Sequence, residues 1–359
     1  MPRPVIAVIG AGMAGAATAN ALSRIETASV VLLEQFELGH TRGSSHGSSR
    51  IFRLNYPDEG FVRFAQRADA VWREFEDEHG ERLIERVGSL DLGSAADEVG
   101  RALTTCGVRF DVLDADEIRT RWLIRVDSGE TAVYQPDGGF IHAERAHRAL
   151  VDGAIGRGVE VRWGTPVRAL AEARGAVRLS LDDGELEVNT VVVTAGAWSR
   201  SLLSTTGIEL SVVPTRETVV YLDHANADAL PSVIDYGRVP REGEGGISRA
   251  GRASYALAAP RIGLKAGVHH SGPPVAPDAD DPPDEQLAAW VAAWAASRYE
   301  TVRRVLATET CLYTNTRDEG FVLERHGRIV IGSACSGHGF KFAPLVGRTL
   351  AQLALDAVA

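Results

Sequence analysis

Three glycines near the start, in the run Gly10-Ala11-Gly12-Met13-Ala14-Gly15, stand between two apolar stretches, Val5 to Ile9 and Ala28 to Leu33. An Ala-rich segment to about Ser23 joins the glycines to the second stretch, which ends on Glu34, 24 positions after Gly10. This order reads as strand, tight turn, helix, strand. Each part has a physical task. Gly10 makes the turn, Gly12 admits close approach of a pyrophosphate to the backbone, and Gly15 lets helix and sheet pack closely. The N-terminus of the helix that follows, with its free N–H groups and positive dipole end, faces the phosphates, and Glu34 can accept hydrogen bonds from a ribose. The alternative is a glycine turn without a ligand. In either case the chain begins with a βαβ unit.

Composition narrows what such a chain does. Its 359 residues leave room for two domains, each with a core. Apolar residues at 45% and charged residues at 24% are those of a globular protein. A net charge of −10 argues against nucleic acid as a partner. No apolar run approaches the roughly 20 residues of a membrane span, and the segment MPRPVIAVIGAG lacks the layout of a secretory signal, so a cytoplasmic protein without a membrane partner is expected. Cys106, Cys311 and Cys335 are scattered without metal-type spacing, which suits a reducing compartment, and no metal site is legible. Of 38 basic residues only Lys265 and Lys341 are lysines. Either composition bias left them by chance, or both ammonium groups have tasks that a guanidinium cannot perform.

Farther along, Phe61, Phe64, Ala65, Ala68, Val71, Trp72 and Phe75 follow helical spacing and predict a long amphipathic helix from Phe61. The stretch Val87 to Tyr134 reads as short strands, Ser89 to Leu92 and Val108 to Leu113, with a helix started by Asp114 or Asp116. Asp137-Gly138-Gly139 marks a turn, and a helix Ala143 to Ile155 follows. A buried-strand pattern, Val191 to Thr194, then runs into Gly196, where the chain can return to the dinucleotide site. Strand-like runs from Ser211, a Pro/Asp-rich loop Ser271 to Asp284, a helix on Leu287, Ala288, Val291 and Trp294, and a closing helix from about Leu345 complete the chain.

Four further segments hold isolated polar side chains among small residues: Gly43-Ser44-Ser45-His46-Gly47-Ser48-Ser49-Arg50-Ile51-Phe52-Arg53, then Gly263-Leu264-Lys265 to His269-His270, then Cys311-Leu312-Tyr313-Thr314-Asn315-Thr316, and Ser336-Gly337-His338-Gly339-Phe340-Lys341. Such segments suit a backbone that approaches a planar ligand while a few polar groups point at it. They resemble, in the same order and across nearly the whole chain, those of the monomeric sarcosine oxidase family, which includes N-methyltryptophan oxidase and pipecolate oxidase, within the D-amino-acid oxidase group of FAD enzymes.

The resemblance implies an α/β (α+β) fold, with a Rossmann-type FAD-binding domain over 1–85, 140–210 and 308–359 and a substrate domain on a mixed β-sheet over 86–139 and 211–307. It implies a monomeric amine oxidase that converts a small secondary or cyclic amino acid to an imine and reduces O₂ to H₂O₂. Cys311 matches the cysteine bonded covalently to the flavin, a role suited to a thiolate whose pKa is lowered by nearby cations. Read without the resemblance, Cys311 is a small core residue. Lys265 matches the lysine that promotes reoxidation by O₂, a fixed ammonium being able to stabilise the reduced anion. Arg53 and Lys341 match the pair that holds the substrate carboxylate; as bare residues they are solvated cations. Arg50 and His46 resemble residues beside the flavin ring, and His269 one that lines the substrate pocket; each is otherwise a hydrogen-bonded structural group. Tyr255, Tyr313 and His338 are further pocket candidates. Ser44, Ser45, Gly196, Gly337, Gly339 and Lys341 join Gly10, Gly12, Met13, Gly15 and Glu34 as cofactor-binding candidates.

There are departures from the family's pattern. Ser48 stands where an acidic residue follows His-Gly, the segment between Tyr255 and Lys265 is short, and the chain stops at Ala359 without the family's usual tail. Substrate identity is the property these touch. Two other readings remain: a biosynthetic tailoring oxidase of the same fold acting on a pipecolate-type cyclic imine or amino acid, and a flavin-binding protein without turnover. A nicotinamide dehydrogenase shares the first motif but has no use for the later segments.

Overall fold

The computed structural model describes residues 3–93, 95–127, 129–237 and 253–358; the final residue, Ala359, and the stretch 238–252 of the expected substrate domain lie outside the described residues. Val5–Ile9 forms β1, Met13–Leu22 forms α1 and Ser29–Leu33 forms β2. β1 pairs in parallel with β2 on one side and with Thr190–Val193 on the other, and Ile329–Ser333 and Glu160–Arg162 extend the parallel array. Val322–His326 closes one edge antiparallel, giving six strands. Both faces of β1 are covered, as a continuous apolar run requires. Ile6 and Val8 pack with residues of α1, Ala143–Gly156 and Ala343–Asp356, while Ala7 and Ile9 pack under a three-stranded antiparallel sheet through Leu170, Val177 and Leu179.

The second large sheet has eight strands and is mixed. Its strands are antiparallel except where Ser232–Asp235 runs parallel to Ser89–Leu92. Alternation along its central strands separates core from chemistry. Val220, Leu222, Leu264 and Ala266 point into a core closed by the helix Glu285–Arg298 through Leu287, Val291 and Trp294. Their neighbours Val219, Tyr221 and Lys265 point the other way, toward Cys311 on the edge strand Val305–Asn315. That edge strand pairs along its length with Val213–Leu222, so the expected boundary at 307/308 falls inside a strand of this sheet.

The long helix spans Glu59–His79, two residues earlier than the apolar spacing predicts, because the Asp58 carboxylate accepts a hydrogen bond from Phe61 N and caps it. It stops at Gly80, whose φ is +75°. Between Ser89 and Tyr134 the expected strand at Val108 is displaced. A helix, Ala96–Thr105, precedes it, and Val108 N closes that helix on Leu103 O after Gly107 turns at φ +67°. The strand therefore begins only at Asp111 and ends at Asp114. Asp114 then opens Ala115–Trp122 with a reciprocal capping box to Glu117, one of the two starts expected. The loop expected from Ser271 to Asp284 is a loop, and no helix among the described residues is long and apolar enough to cross a membrane.

Candidate active site

The turn after β1 behaves as its glycines demand. Gly10 has φ +94°, and a Cβ on Gly15 would lie 1.8 Å from Gly10 O, so only glycine lets α1 lean this closely on the sheet. At Gly12 an added Cβ would meet only Ser45 Oγ, at 3.1 Å, so this side of the turn opens outward. Glu34 at the end of β2 is buried. Its Oε2 accepts from Ala11 N at 2.7 Å and its Oε1 from Phe36 N at 3.0 Å. Met13 N donates to Ser45 Oγ at 2.9 Å, which puts the serine hydroxyl at the N-terminus of α1.

From this turn a cavity of about 780 Å³ runs between the two large sheets. Gly10, Gly12, Met13, Glu34, Ser44, Ser45, His46, Arg50, Gly196, Cys311, Tyr313, Gly337 and Gly339 all line it; Gly15 and Lys341 do not. His147 was not singled out in the sequence, yet its Nε2 lies 2.6 Å from Ala11 O on the cavity wall. An isolated histidine within an amphipathic helix carries no local mark of that contact. Cys335 also lines the cavity, accepting from Thr314 N at 3.4 Å.

At the far end the loop 44–49 is fastened by Arg50. Its guanidinium donates to Ser44 O at 2.7 Å, His46 O at 2.6 Å and Ser49 O at 2.9 Å, and Nη2 lies 4.0 Å from Cys311 Sγ. Ser44 Oγ ties the same loop to Leu312 O. Lys265 is buried and donates to Ser49 O at 3.2 Å. Burial brings its pKa down to about 7, with the nearby Arg50 charge acting in the same direction and Cys311 and Glu309 opposing. Tyr221, opposite Lys265 in the sheet register, donates to Glu309 at 2.9 Å. His46 is pushed down to about 4, chiefly by burial and then by Arg50, so it is neutral near pH 7, and its Nε2 is buried without a hydrogen-bond partner.

One expectation is corrected here. Burial raises the Cys311 thiol above its ordinary pKa, although Arg50 and Lys265 pull it down. The sulfur is a protonated thiol at rest, because on its half-buried stretch of the edge strand desolvation outweighs the two cations.

The remaining residues form a second cluster behind the cavity wall. Lys341 is buried and the Arg53 side chain is only 12% exposed, so neither is a solvated cation, and both lie over Tyr56, with the guanidinium carbon 4.5 Å and the Lys341 nitrogen 5.5 Å from the ring centroid. Lys341 Nζ donates to Tyr56 Oη and to His338 O, each at 2.9 Å. Arg53 Nη1 donates to Asp91 Oδ1 at 3.0 Å and to Tyr236 at 3.1 Å. Burial opposes the Arg53 charge, but Tyr236 and Asp91 more than offset it. Burial holds Lys341 well below the ordinary lysine range, with Arg53 adding to the effect. His338, pushed down to about 3 mainly by burial, lies 3.2 Å from Tyr56 Oη and 3.0 Å from Glu319 O. The His269 ring centroid is 5.6 Å from that of Tyr313, and Gly337 has no room for a Cβ against either ring. The Tyr255 hydroxyl packs over Gly267. Tyr56, Asp91 and Tyr236 were missed in the sequence; the signal for Asp91 was a carboxylate inside the apolar strand Ser89–Leu92, which is buried throughout.

A glycine cradle at a helix N-terminus, a cavity within the roughly 300–1,000 Å³ of ligand sites and an unpartnered buried imidazole nitrogen fit a bound dinucleotide. Fold and site together define a dinucleotide-dependent oxidoreductase. The chain belongs to the DAO family, the FAD dependent oxidoreductases, which it matches over residues 6–353. It is 33% identical to the peroxisomal sarcosine oxidase of Mus musculus over 377 residues, covering 97% of this chain and 91% of that protein. It is 30% identical to the monomeric sarcosine oxidase of Bacillus sp. (strain B-0618), covering 98% and 92%. Among solved structures it is similar to NikD, an unusual amino acid oxidase essential for nikkomycin biosynthesis, in its open form, with a TM-score of 0.88 at 24% identity over 99% of this chain and 95% of that one.

Proposed function

We propose that the protein is an amine oxidase that converts the C–N bond of a small secondary or cyclic amino acid, of the N-methyl type, to an imine, with O₂ as the electron acceptor and H₂O₂ as product. FAD, when bound, supplies the two-electron redox chemistry. What supports the substrate class is the pairing of Arg53 and Lys341 over one tyrosine, behind the wall that carries Arg50, Lys265 and Cys311. A largely covered guanidinium beside a lysine suits a carboxylate: the first gives direction and charge, and the bound anion would return to Lys341 the proton that burial and Arg53 disfavour. Tyr56 orients both, and Tyr255, Tyr313, His338 and His269 supply the rest of the chamber.

Gly10, Gly12, Met13 and Gly15 would hold the pyrophosphate, with Ser44, Ser45 and Glu34 beside the ribose and phosphates and Gly196, Gly337 and Gly339 along the cavity. His46 and Arg50 would adjoin the ring, and Lys265 would stabilise negative charge on reduced oxygen in a water-poor place. Cys311 is the residue proposed for covalent attachment; its raised thiol pKa means that Arg50 and Lys265 must assist deprotonation. We assign the six-stranded sheet and its helices to the FAD-binding domain and the eight-stranded sheet to the substrate domain. A monomer in a reducing, cytoplasmic setting accords with free Cys106, Cys311 and Cys335.

Peroxide release measured on N-methyl, cyclic and primary amino acids tests the reading. Turnover confined to the first two groups, weakened by esterifying the carboxylate, is the expected result, and no peroxide from any of them overturns it. Acid precipitation of the purified enzyme tests the attachment separately: the yellow colour stays with the pellet and with the Cys311 peptide, and a Cys311→Ala variant releases it. Free FAD from the unaltered chain refutes the covalent bond alone.

A further inference from the structure

His269 and His270 follow the strand Gly263–Val268, and Glu319 lies in the turn after Val305–Asn315. His270 and Glu319 both have φ in the left-handed region, +53° and +59°, which is costly for residues other than glycine. With these conformations the three side chains meet. His270 Nε2 is 3.4 Å from Glu319 Oε1, His269 Nε2 is 3.9 Å from Oε2, and one ligand atom from each residue falls within 4.8 Å of the others. The two imidazole centroids are 3.9 Å apart.

A protonated histidine paired with a carboxylate would bring the same groups together, but it would also make a hydrogen bond. His270 and Glu319 do form an ion pair, but at 3.4 Å it lacks the geometry of a well-formed hydrogen bond, and His270 Nε2 is left buried without one. Three possible ligand atoms therefore lie within 4.8 Å of one another, with only a long contact between His270 and the carboxylate. Donors at about 2.0–2.2 Å from a tetrahedral zinc ion are about 3.3–3.6 Å apart. The His270 to Glu319 distance already has that spacing, and Glu319 is exposed enough to close the other. We propose that His269, His270 and Glu319 form a binding site for a divalent transition-metal ion of the zinc type.

Three protein ligands leave a fourth position open to water or to an amine. The site adjoins the cavity wall, since Gly337, which lines the cavity with Tyr313, has no room for a Cβ against either His269 or Tyr313, and Glu319 O lies 3.0 Å from His338 Nε2. A bound ion engages His269, which the proposed function places beside the substrate, so metal and amine substrate compete. The competition rests on the proposed function; the binding does not. No sequence spacing marked this site, because His270 and Glu319 are 49 positions apart and only the folding of two loops brings them together.

Calorimetric titration of the chelator-treated, flavin-loaded full chain with Zn²⁺ tests the site. One ion per chain is expected, with affinity weakened in both His270→Asn and Glu319→Gln by at least the roughly ten- to hundredfold that loss of a mere outer-shell partner costs. Asparagine tolerates the left-handed backbone at 270, and an unchanged flavin spectrum reports that each variant is folded. Zn²⁺ should also raise the KM of the unaltered enzyme for amine and leave that of His270→Asn unchanged. Absence of binding heat, or an affinity in both folded variants equal to that of the unaltered chain, overturns the site. Binding that depends on both residues in an enzyme that oxidises no amine upholds the site and overturns the substrate reading instead.

Discussion

Arg53 Nη1 and Asp91 Oδ1 lie 3.0 Å apart, and the carboxylate has no solvent exposure. Asn55 donates to the other oxygen at 2.6 Å, so Asp91 is held from both sides, and the guanidinium is aimed by a fixed acid. Removing one partner of a buried pair leaves an uncompensated charge, at a cost of about 3–5 kcal/mol. Asp91→Asn keeps the volume and removes the charge. Urea denaturation of the flavin-loaded variant should show a stability loss near the lower end of that range, together with a raised KM for a carboxylate substrate at little altered kcat. An unchanged midpoint would mean that Arg53 does not need this partner.

Lys265 offers a split between half-reactions. Lys265→Met keeps the length of the side chain and removes its charge. Stopped-flow measurements should find anaerobic reduction by substrate nearly unchanged and reoxidation by O₂ slowed about a hundredfold or more, the scale for loss of one preorganised stabilising group. Because burial brings the lysine down to about 7, reoxidation of the unaltered enzyme should also slow as pH rises through that value, and the methionine variant should lack this step. Equal slowing of both half-reactions would remove Lys265 from the oxygen chemistry.

Acid should destabilise the protein through its buried imidazoles. Above the ordinary histidine value of 6.5, His46 and His338 are neutral whether folded or unfolded and contribute no pH dependence. As pH falls from 6.5 toward about 4 for His46 and about 3 for His338, the unfolded chain takes up protons that the folded chain refuses, and stability drops. Asp91, pushed up to about 6 by burial, works the other way between that value and 3.8 and recovers part of the loss. Melting temperatures at pH 7.5 and 5 should differ, the lower pH melting first. A higher midpoint at pH 5 would contradict the burial of these histidines.

Gly15→Ala tests the cradle. A methyl group 1.8 Å from Gly10 O forces α1 away from the turn that must hold the pyrophosphate. The variant should purify with little flavin, less than about a tenth of the normal content, while circular dichroism keeps its helix and strand signals. Full flavin content would show that the turn has slack the geometry does not suggest.

The first βαβ unit was legible because its signals are local. Glycine at Gly10 and Gly15 is required by a turn and a contact a few residues away, and a strand covered on both faces must be apolar throughout. The helix Ala96–Thr105 was not legible. It lies where short apolar runs mimic strands, and Val108 is apolar because it closes a helix, not because it pairs in a sheet.

For the site, the sequence by itself determined which side chains were available: two lysines in an arginine-rich chain, a cysteine on a strand, and histidines and arginines among glycines and serines. Tertiary structure alone decided their states and partners. Arg53 is paired because Asp91, 38 positions away, is buried beside it; Cys311 is protonated because desolvation outweighs the Arg50 and Lys265 charges that reach it from other segments; and Lys265 is brought down to about 7 by burial first and by Arg50, from another segment, second. The physical reason is that residue type is a local property, whereas desolvation and charge pairing depend on which distant segments close over a group, and these set the pKa values and free donors on which the chemistry depends.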